Sequence, residues 1–89
     1  ALASAGLDAV MLATPHGVAK GIVASQADWL AKIPLVIDLS ADHRHADGWV
    51  YGLPEWRADA IRGATRIAAP GCFASAMSLA LAPLVAAGV

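Results

Sequence analysis

Three short runs of branched and aliphatic residues, each ending in polar and turn-forming residues, constrain this chain most. They occupy residues 7–13, 35–39 and 66–69. The first is almost continuously apolar and stops at Thr14-Pro15; the second, Leu35 to Leu39, is rich in branched aliphatics. Continuous apolar runs of this length suit parallel strands covered on both faces. Between the first two, Val18, Ile22, Val23, Trp29 and Leu30 recur near helical spacing, with Lys20, Ser25, Asp28 and Lys32 among the polar positions. This predicts one amphipathic helix of about 14 residues, closed before Pro34.

Residues 40–54 follow as a long irregular connection dense in Asp, His, Gly and Arg, and residues 58–62 predict a short helix stopped by Gly63. After the third run, Phe73, Met77, Ala80, Leu81 and Leu84 mark one face of a last helix, which Pro83 is expected to end or bend. Strand, helix, strand, excursion, strand and helix predict an α/β fold, a parallel sheet with right-handed crossovers.

Composition bounds the size of such a unit. The chain has 89 residues, 58% of them hydrophobic and 15% charged. A chain this short buries only about 60–65% of its unfolded surface, so so apolar a composition fits part of a larger α/β domain better than a free-standing one. The net charge of −1 gives no electrostatic reason to bind nucleic acid or an acidic membrane. Residues 67–89 carry no charge, but Pro70-Gly71, Pro83 and the abundance of alanine favour a buried helix over a membrane span. The N-terminus lacks the basic stretch that precedes the apolar part of a signal peptide. The single cysteine can form no internal disulfide, which fits the cytoplasm.

In parallel sheets ligands gather at the carboxyl ends of the strands, where three polar clusters fall: residues 14–17, 40–44 and 70–72. Cys72 lies where a strand turns into a helix. Pro70 fixes the entry, and Gly71 is expected to supply a backbone angle that other residues resist. Helix amides and the helix dipole then face the sulfur, favouring thiolate and offering donors to an oxyanion. A cysteine that only packs is the competing reading, and the residues alone leave both open. His16, between Pro15 and Gly17, precedes a helix start where an anion can rest, although the same residues serve an ordinary turn.

Asp38, Asp42, His43, Arg44, His45 and Asp47 form a polar cluster without the spacing of a metal site, so no metal is assigned. Arg44 suits a carboxylate or phosphate, or solvent. Tyr51 and Glu55 flank a rigid Gly-Leu-Pro turn and either line a pocket or leave Glu55 to interact with a helix start. Trp29, Trp49 and Trp56 are expected to pack. A His16–Cys72 pair is a further option that spacing leaves open.

The ordered motifs resemble the N-acetyl-γ-glutamyl-phosphate reductase family. They are Leu12-Ala13-Thr14-Pro15-His16-Gly17-Val18, Val36-Ile37-Asp38-Leu39-Ser40-Ala41-Asp42-His43-Arg44, Tyr51-Gly52-Leu53-Pro54-Glu55 and Ala69-Pro70-Gly71-Cys72-Phe73-Ala74-Ser75-Ala76. The resemblance implies residues 1–89 of a Rossmann-type NAD(P)-binding domain ending in the catalytic-cysteine helix. The family's first Gly-rich βα unit and its second α+β domain, with a histidine acid/base, are not matched here. It further implies that Cys72 attacks an acyl phosphate, expels phosphate and forms a thioester, which NADPH reduces to N-acetylglutamate 5-semialdehyde for arginine biosynthesis. Pro15, His16, Gly17, Ser40, Pro70 and Gly71 become cofactor-binding candidates, and Arg44 and Glu55 substrate-binding candidates. A small-molecule acyl phosphate is the implied partner, in a homo-oligomer when full length.

The chain departs from the family at Ala69, where Asn is frequent, at Ser75 for Thr, at His43 for Phe, and at Trp56 for Leu. Ala69 and His43 leave open a sister enzyme, the reductase of carrier-linked aminoadipyl phosphate or aspartate-semialdehyde dehydrogenase. A non-catalytic α/β module is the rival from another class.

Overall fold

The computed structural model describes residues 6–88. Four strands, β1 (Ala9–Leu12), β2 (Leu35–Asp38), β3 (Val50–Tyr51) and β4 (Arg66–Ala68), form one sheet in the order β1-β2-β4-β3. Every pairing is parallel, with Val10 opposite Val36, Ile37 opposite Ile67, and Tyr51 opposite Ala68. The helices are α1 (Ala19–Ser25), α2 (Ala27–Leu30), α3 (Pro54–Arg62) and α4 (Cys72–Ala86). This is the parallel α/β architecture of a Rossmann-type domain, and all four strands deliver their carboxyl ends to one edge.

The core is small. Leu12, Ala19, Leu30, Ile33 and Val36 form its buried cluster, with Val10, Ile22, Val23, Trp29 and Trp49 packed around it. Ala19 and Val36 are completely enclosed. Val18, expected on the apolar face, is exposed, and Ala19 occupies the inward position instead. Arg66 closes the opposite edge of the sheet. Its guanidinium donates to the carbonyls of Leu30 at 2.8 Å and Ile33 at 3.2 Å, as well as to Thr65 at 2.8 Å. The Leu30 carbonyl, which ends α2, also accepts Ile33 N–H at 3.0 Å, so Arg66 adds a second donor to it and ties the turn after α2 to the start of β4.

Several expected elements change. The single helix before Pro34 is two, because Gln26 adopts φ −113° and ψ 24° between α1 and α2. The Gln26 side chain accepts a hydrogen bond from Trp29 Nε1 at 2.7 Å, which stabilises the break. Within the supposedly irregular excursion, β3 forms a two-residue edge strand, too short for side-chain periodicity to reveal. Its ladder is extended by Gly52 N–H donating to Ala68 O at 2.8 Å. The helix expected at residues 58–62 starts at Pro54, which suits a first helical position because proline lacks only an N–H that would be unpaired there. It kinks at Arg57.

The last helix departs most from expectation. α4 runs through Pro83 to Ala86 rather than ending there, and the proline leaves the Leu79 carbonyl without its i→i−4 donor. It was also expected to be buried, yet none of its residues is. Phe73 is 82% exposed, and Met77, Leu81, Leu84 and Val85 are exposed with it, so this apolar face is left largely uncovered by the described elements. Among the described residues no helix is long and apolar enough to cross a membrane.

Candidate active site

Three of the strand ends are tied together by the loop that leaves β2. Asp38, the last residue of β2, has no solvent exposure. Its Oδ1 accepts hydrogen bonds from Ser40 N–H and Ser40 Oγ–H, both at 2.8 Å. Its Oδ2 lies 2.6 Å from His43 Nδ1. An ionised carboxylate only accepts, so Nδ1 carries the hydrogen that closes this contact. The His43 ring is 4% exposed and stacks on Trp49, with centroids 4.2 Å apart and planes 19° from parallel. A buried carboxylate is tolerable only when its lone pairs are occupied in this way.

Beyond Asp38 the loop turns toward β1. Asp42 Oδ1 accepts Gly17 N–H at 2.7 Å and its Oδ2 accepts Lys20 N–H at 3.0 Å. Val18, at the start of α1, offers no side-chain cap, so Asp42 satisfies these amides from 25 and 22 residues away. The two backbone donors, Gly17 first, hold the Asp42 carboxyl below its ordinary value, and His43 and His16 act in the same direction more weakly. In return, Ala41 N–H donates to His16 Nδ1 at 3.0 Å. His16 therefore carries its ring hydrogen on Nε2, and it engages the β2 loop rather than Cys72. Gly17 has φ +89°, and a Cβ there would meet nothing within 4 Å. Pro15, His16 and Gly17 are all exposed.

On the other side, the loop reaches Ala69 and Gly71, just ahead of Cys72. Arg44 Nε–H donates to Ala69 O at 2.9 Å, and Ala69 N–H donates to Asp38 O at 2.8 Å. The guanidinium then lies against Gly71, where a Cβ would stand 2.9 Å from an Arg44 terminal nitrogen. The expected reason for glycine at 71 is therefore corrected. Its φ of −81° and ψ of 151° are ordinary extended backbone, and the position is reserved by the arginine's approach. Cys72 follows as the first residue of α4 and is exposed.

The remaining candidates sit apart. Ser40 is 1% exposed and its hydroxyl is held by Asp38, leaving only an internal role for its side chain. Pro70 is half-buried between β4 and α4, and Glu55 is exposed in the first turn of α3. Trp56, expected to pack, is 51% exposed, since α3 presents it to an open cleft of about 440 Å³. Arg44, His45, Trp49, Tyr51 and Arg57 also line that cleft, and His45 stacks over Tyr51 at 6.3 Å. Two hydroxyl oxygens, Thr14 Oγ1 at the end of β1 and Ser75 Oγ in α4, are buried without a partner. Among the described residues no three His, Cys, Asp or Glu side chains gather to hold a metal.

Sequence reading grouped Asp38, Asp42 and His43 as one polar cluster without seeing their separate duties. The signal for Asp42 was an α1 start with no capping residue of its own. The signal for His43 was a buried strand-end aspartate that needed a donor.

A parallel sheet with flanking helices and a left-handed glycine turn at a strand's carboxyl end has the architecture of a nucleotide-binding α/β domain. Residues 2–64 match the family described as "Semialdehyde dehydrogenase, NAD binding domain", and the chain belongs to that family. Curated relatives are named N-acetyl-gamma-glutamyl-phosphate reductase. The protein of Xanthomonas euvesicatoria pv. vesicatoria is 48% identical over 96% of this chain and 27% of its own length. That of Stenotrophomonas maltophilia is 44% identical over 96% and 26%, and that of Bradyrhizobium sp. 46% identical over 90% and 24%. The chain thus spans about a quarter of the curated relatives it matches.

Proposed function

We propose that this chain is the cysteine-bearing part of the NAD(P)-binding domain of an N-acetyl-γ-glutamyl-phosphate reductase, a cytoplasmic homo-oligomer that supplies N-acetylglutamate 5-semialdehyde to arginine biosynthesis with NADPH. The observation that carries the reading is the junction of β4 and α4: an exposed Cys72 opens the helix, with the Arg44 guanidinium against the preceding residue. The relatives' names support N-acetyl-γ-glutamyl phosphate as the substrate.

In this reading the Cys72 sulfur adds to the carbonyl carbon of the acyl phosphate. The developing oxyanion accepts hydrogen bonds from the free amides of the first turn of α4. Arg44 pairs with an anionic group of the substrate, and its planar fork suits either phosphate or carboxylate. The carbon–oxygen bond to phosphate then breaks, phosphate departs with the electron pair, and a thioester remains on Cys72. Glu55, exposed in the first turn of α3, would meet the acyl part of the substrate.

The turn at residues 14–17 fits a dinucleotide on two counts: open space over Gly17 and the unpartnered Thr14 hydroxyl. Pro15, His16, Gly17, Pro70 and Gly71 would hold it, His16 through Nε2–H, while Ser40 acts through Asp38. A bound reduced nicotinamide supplies the hydride that brings the thioester to the aldehyde level.

The test is Cys72→Ser in the intact protein, assayed with N-acetyl-γ-glutamyl phosphate, β-aspartyl phosphate and carrier-linked aminoadipyl phosphate. Turnover of the first substrate, lost by about 10³-fold or more in the variant, is expected. Preference for either other acyl phosphate would transfer the protein to a sister activity. Undiminished turnover by Cys72→Ser would remove the nucleophile.

A further inference from the structure

We propose that His43 is a positioning residue that holds the Arg44 guanidinium against Gly71, the residue before Cys72. Asp38 is the anchor. Of its two buried oxygens, Oδ1 receives both Ser40 donors, whereas Oδ2 receives only His43 Nδ1. Half of an enclosed carboxylate thus depends on one imidazole, and removing that donor leaves a buried acceptor unpaired. Trp49 stacks on the ring and limits its movement. The ring is fixed by its edge and by its face.

Arg44 is the next residue in the chain. Its backbone N–H closes a turn onto Ala41 O at 3.3 Å, while Ala46 N–H closes the following turn onto His43 O at 3.2 Å. With the His43 ring anchored between these turns, the course of the backbone at 43–44 is set. The Arg44 side chain leaves from that fixed point toward Ala69 O and Gly71. The same Asp38 residue accepts Ala69 N–H through its main-chain oxygen, so β2, the His43 ring and the approach to Cys72 share one anchor. Phenylalanine at position 43 would keep the stack and lose the donor.

The role rests on reading Cys72 as the nucleophile, but the test is independent of turnover. In the intact protein, Cys72 is alkylated with anionic iodoacetate and with neutral iodoacetamide, and the ratio of the two rates is taken at one pH. The ratio cancels the state of the thiol and reports the cation near it. Arg44→Ala is expected to lower the ratio by about five-fold, as for a unit charge withdrawn a few ångströms from a partly screened site. His43→Phe should lower it by about the same factor, with no further loss in the double variant. His43→Asn, which restores a donor near the Nδ1 position, should keep the ratio within about two-fold of the parent. If His43→Phe fails to fold, Trp49→Ala takes its place, with a drop of about two-fold expected from a ring that keeps Asp38 but loses its backing.

A folded His43→Phe or Trp49→Ala variant with the parent's ratio overturns the proposal. So does an Arg44→Ala variant with an unchanged ratio, or an additive double variant. Failure of the reductase reading shows separately, as Cys72→Ser that still turns over substrate.

Discussion

Two glycines at the sheet's carboxyl edge, Gly71 and Gly52, separate a constraint of function from one of packing. Both have ordinary backbone angles, so alanine meets only its neighbours. At Gly71 the added Cβ would lie 2.9 Å from an Arg44 terminal nitrogen, 3.4 Å from its central carbon and 3.6 Å from the other nitrogen. These atoms end a flexible side chain and can swing away. The move forfeits the hydrogen bond to Ala69 O, about 1 kcal/mol net, while alanine restricts the unfolded chain by about 0.4–1 kcal/mol in the opposite sense. Stability should change by less than about 1 kcal/mol. Under the proposed function, however, the displaced guanidinium would no longer meet the anionic substrate, a loss of about 1.5–3 kcal/mol or about 10- to 150-fold in kcat/KM. At Gly52 the Cβ would stand 2.8 Å from Ile67 Cγ2 and 3.2 Å from the main-chain oxygen of Ala68. A paired strand and a stiff branched side chain cannot yield, so Gly52→Ala should cost about 2–3 kcal/mol. Thermal unfolding and steady-state kinetics of both variants in the intact protein are the assay. The reasoning fails if Gly71→Ala keeps kcat/KM within about two-fold of the parent, or if it destabilises as much as Gly52→Ala.

Other substitutions probe the supports. Asp42 has a lowered folded pKa, so its contribution is fully present above the model-peptide value of 3.8 and is lost as pH falls through the folded value. The stability gap between parent and Asp42→Asn should therefore be constant near neutrality and close in acid, which denaturation across pH would measure; a gap that widens in acid contradicts the capping role. Arg66→Met should destabilise by about 1–3 kcal/mol by releasing the carbonyls of Leu30 and Ile33, as read from the denaturation midpoint. Ser75→Ala removes a buried hydroxyl that has no partner, so stability should hold or rise by up to about 1 kcal/mol, and a fall of that size would mean the hydroxyl is engaged.

How far the sequence could be read depended on the reach of each signal. Apolar runs marked β1, β2 and β4, but the cover on both faces expected from such runs is missing at β1, where Ala9 is exposed and Met11 is 64% exposed. The same reasoning passed over β3, whose Val50 and Tyr51 join the sheet through main-chain bonds to β4 rather than through a pattern of their own. Glycine at 71 was legible as a constraint, but its cause was not: the arginine that reserves the space is 27 positions away, beyond any local rule. The apolar face of α4 was read correctly from Phe73 to Leu84 and its burial was not, because periodicity names a face without naming what covers it.

The polar loop after β2 was the least legible part, since Asp, His and Arg in a row read equally well as solvated charge. What distinguishes them is the order in which each group is satisfied. Asp38 comes first, because full burial of a carboxylate demands donors, and Ser40 and His43 are the nearest side chains able to supply them. With residues 38–43 folded around that carboxylate, Asp42 faces the amides of Gly17 and Lys20, and Arg44 faces Ala69 and Gly71. One buried charge thereby sets the spacing between the turn that would receive a dinucleotide and the helix that begins with Cys72. In an enzyme that passes a hydride to a carbon held on that sulfur, such spacing is what the chemistry depends on, since small misplacements of reacting groups cost large factors in rate.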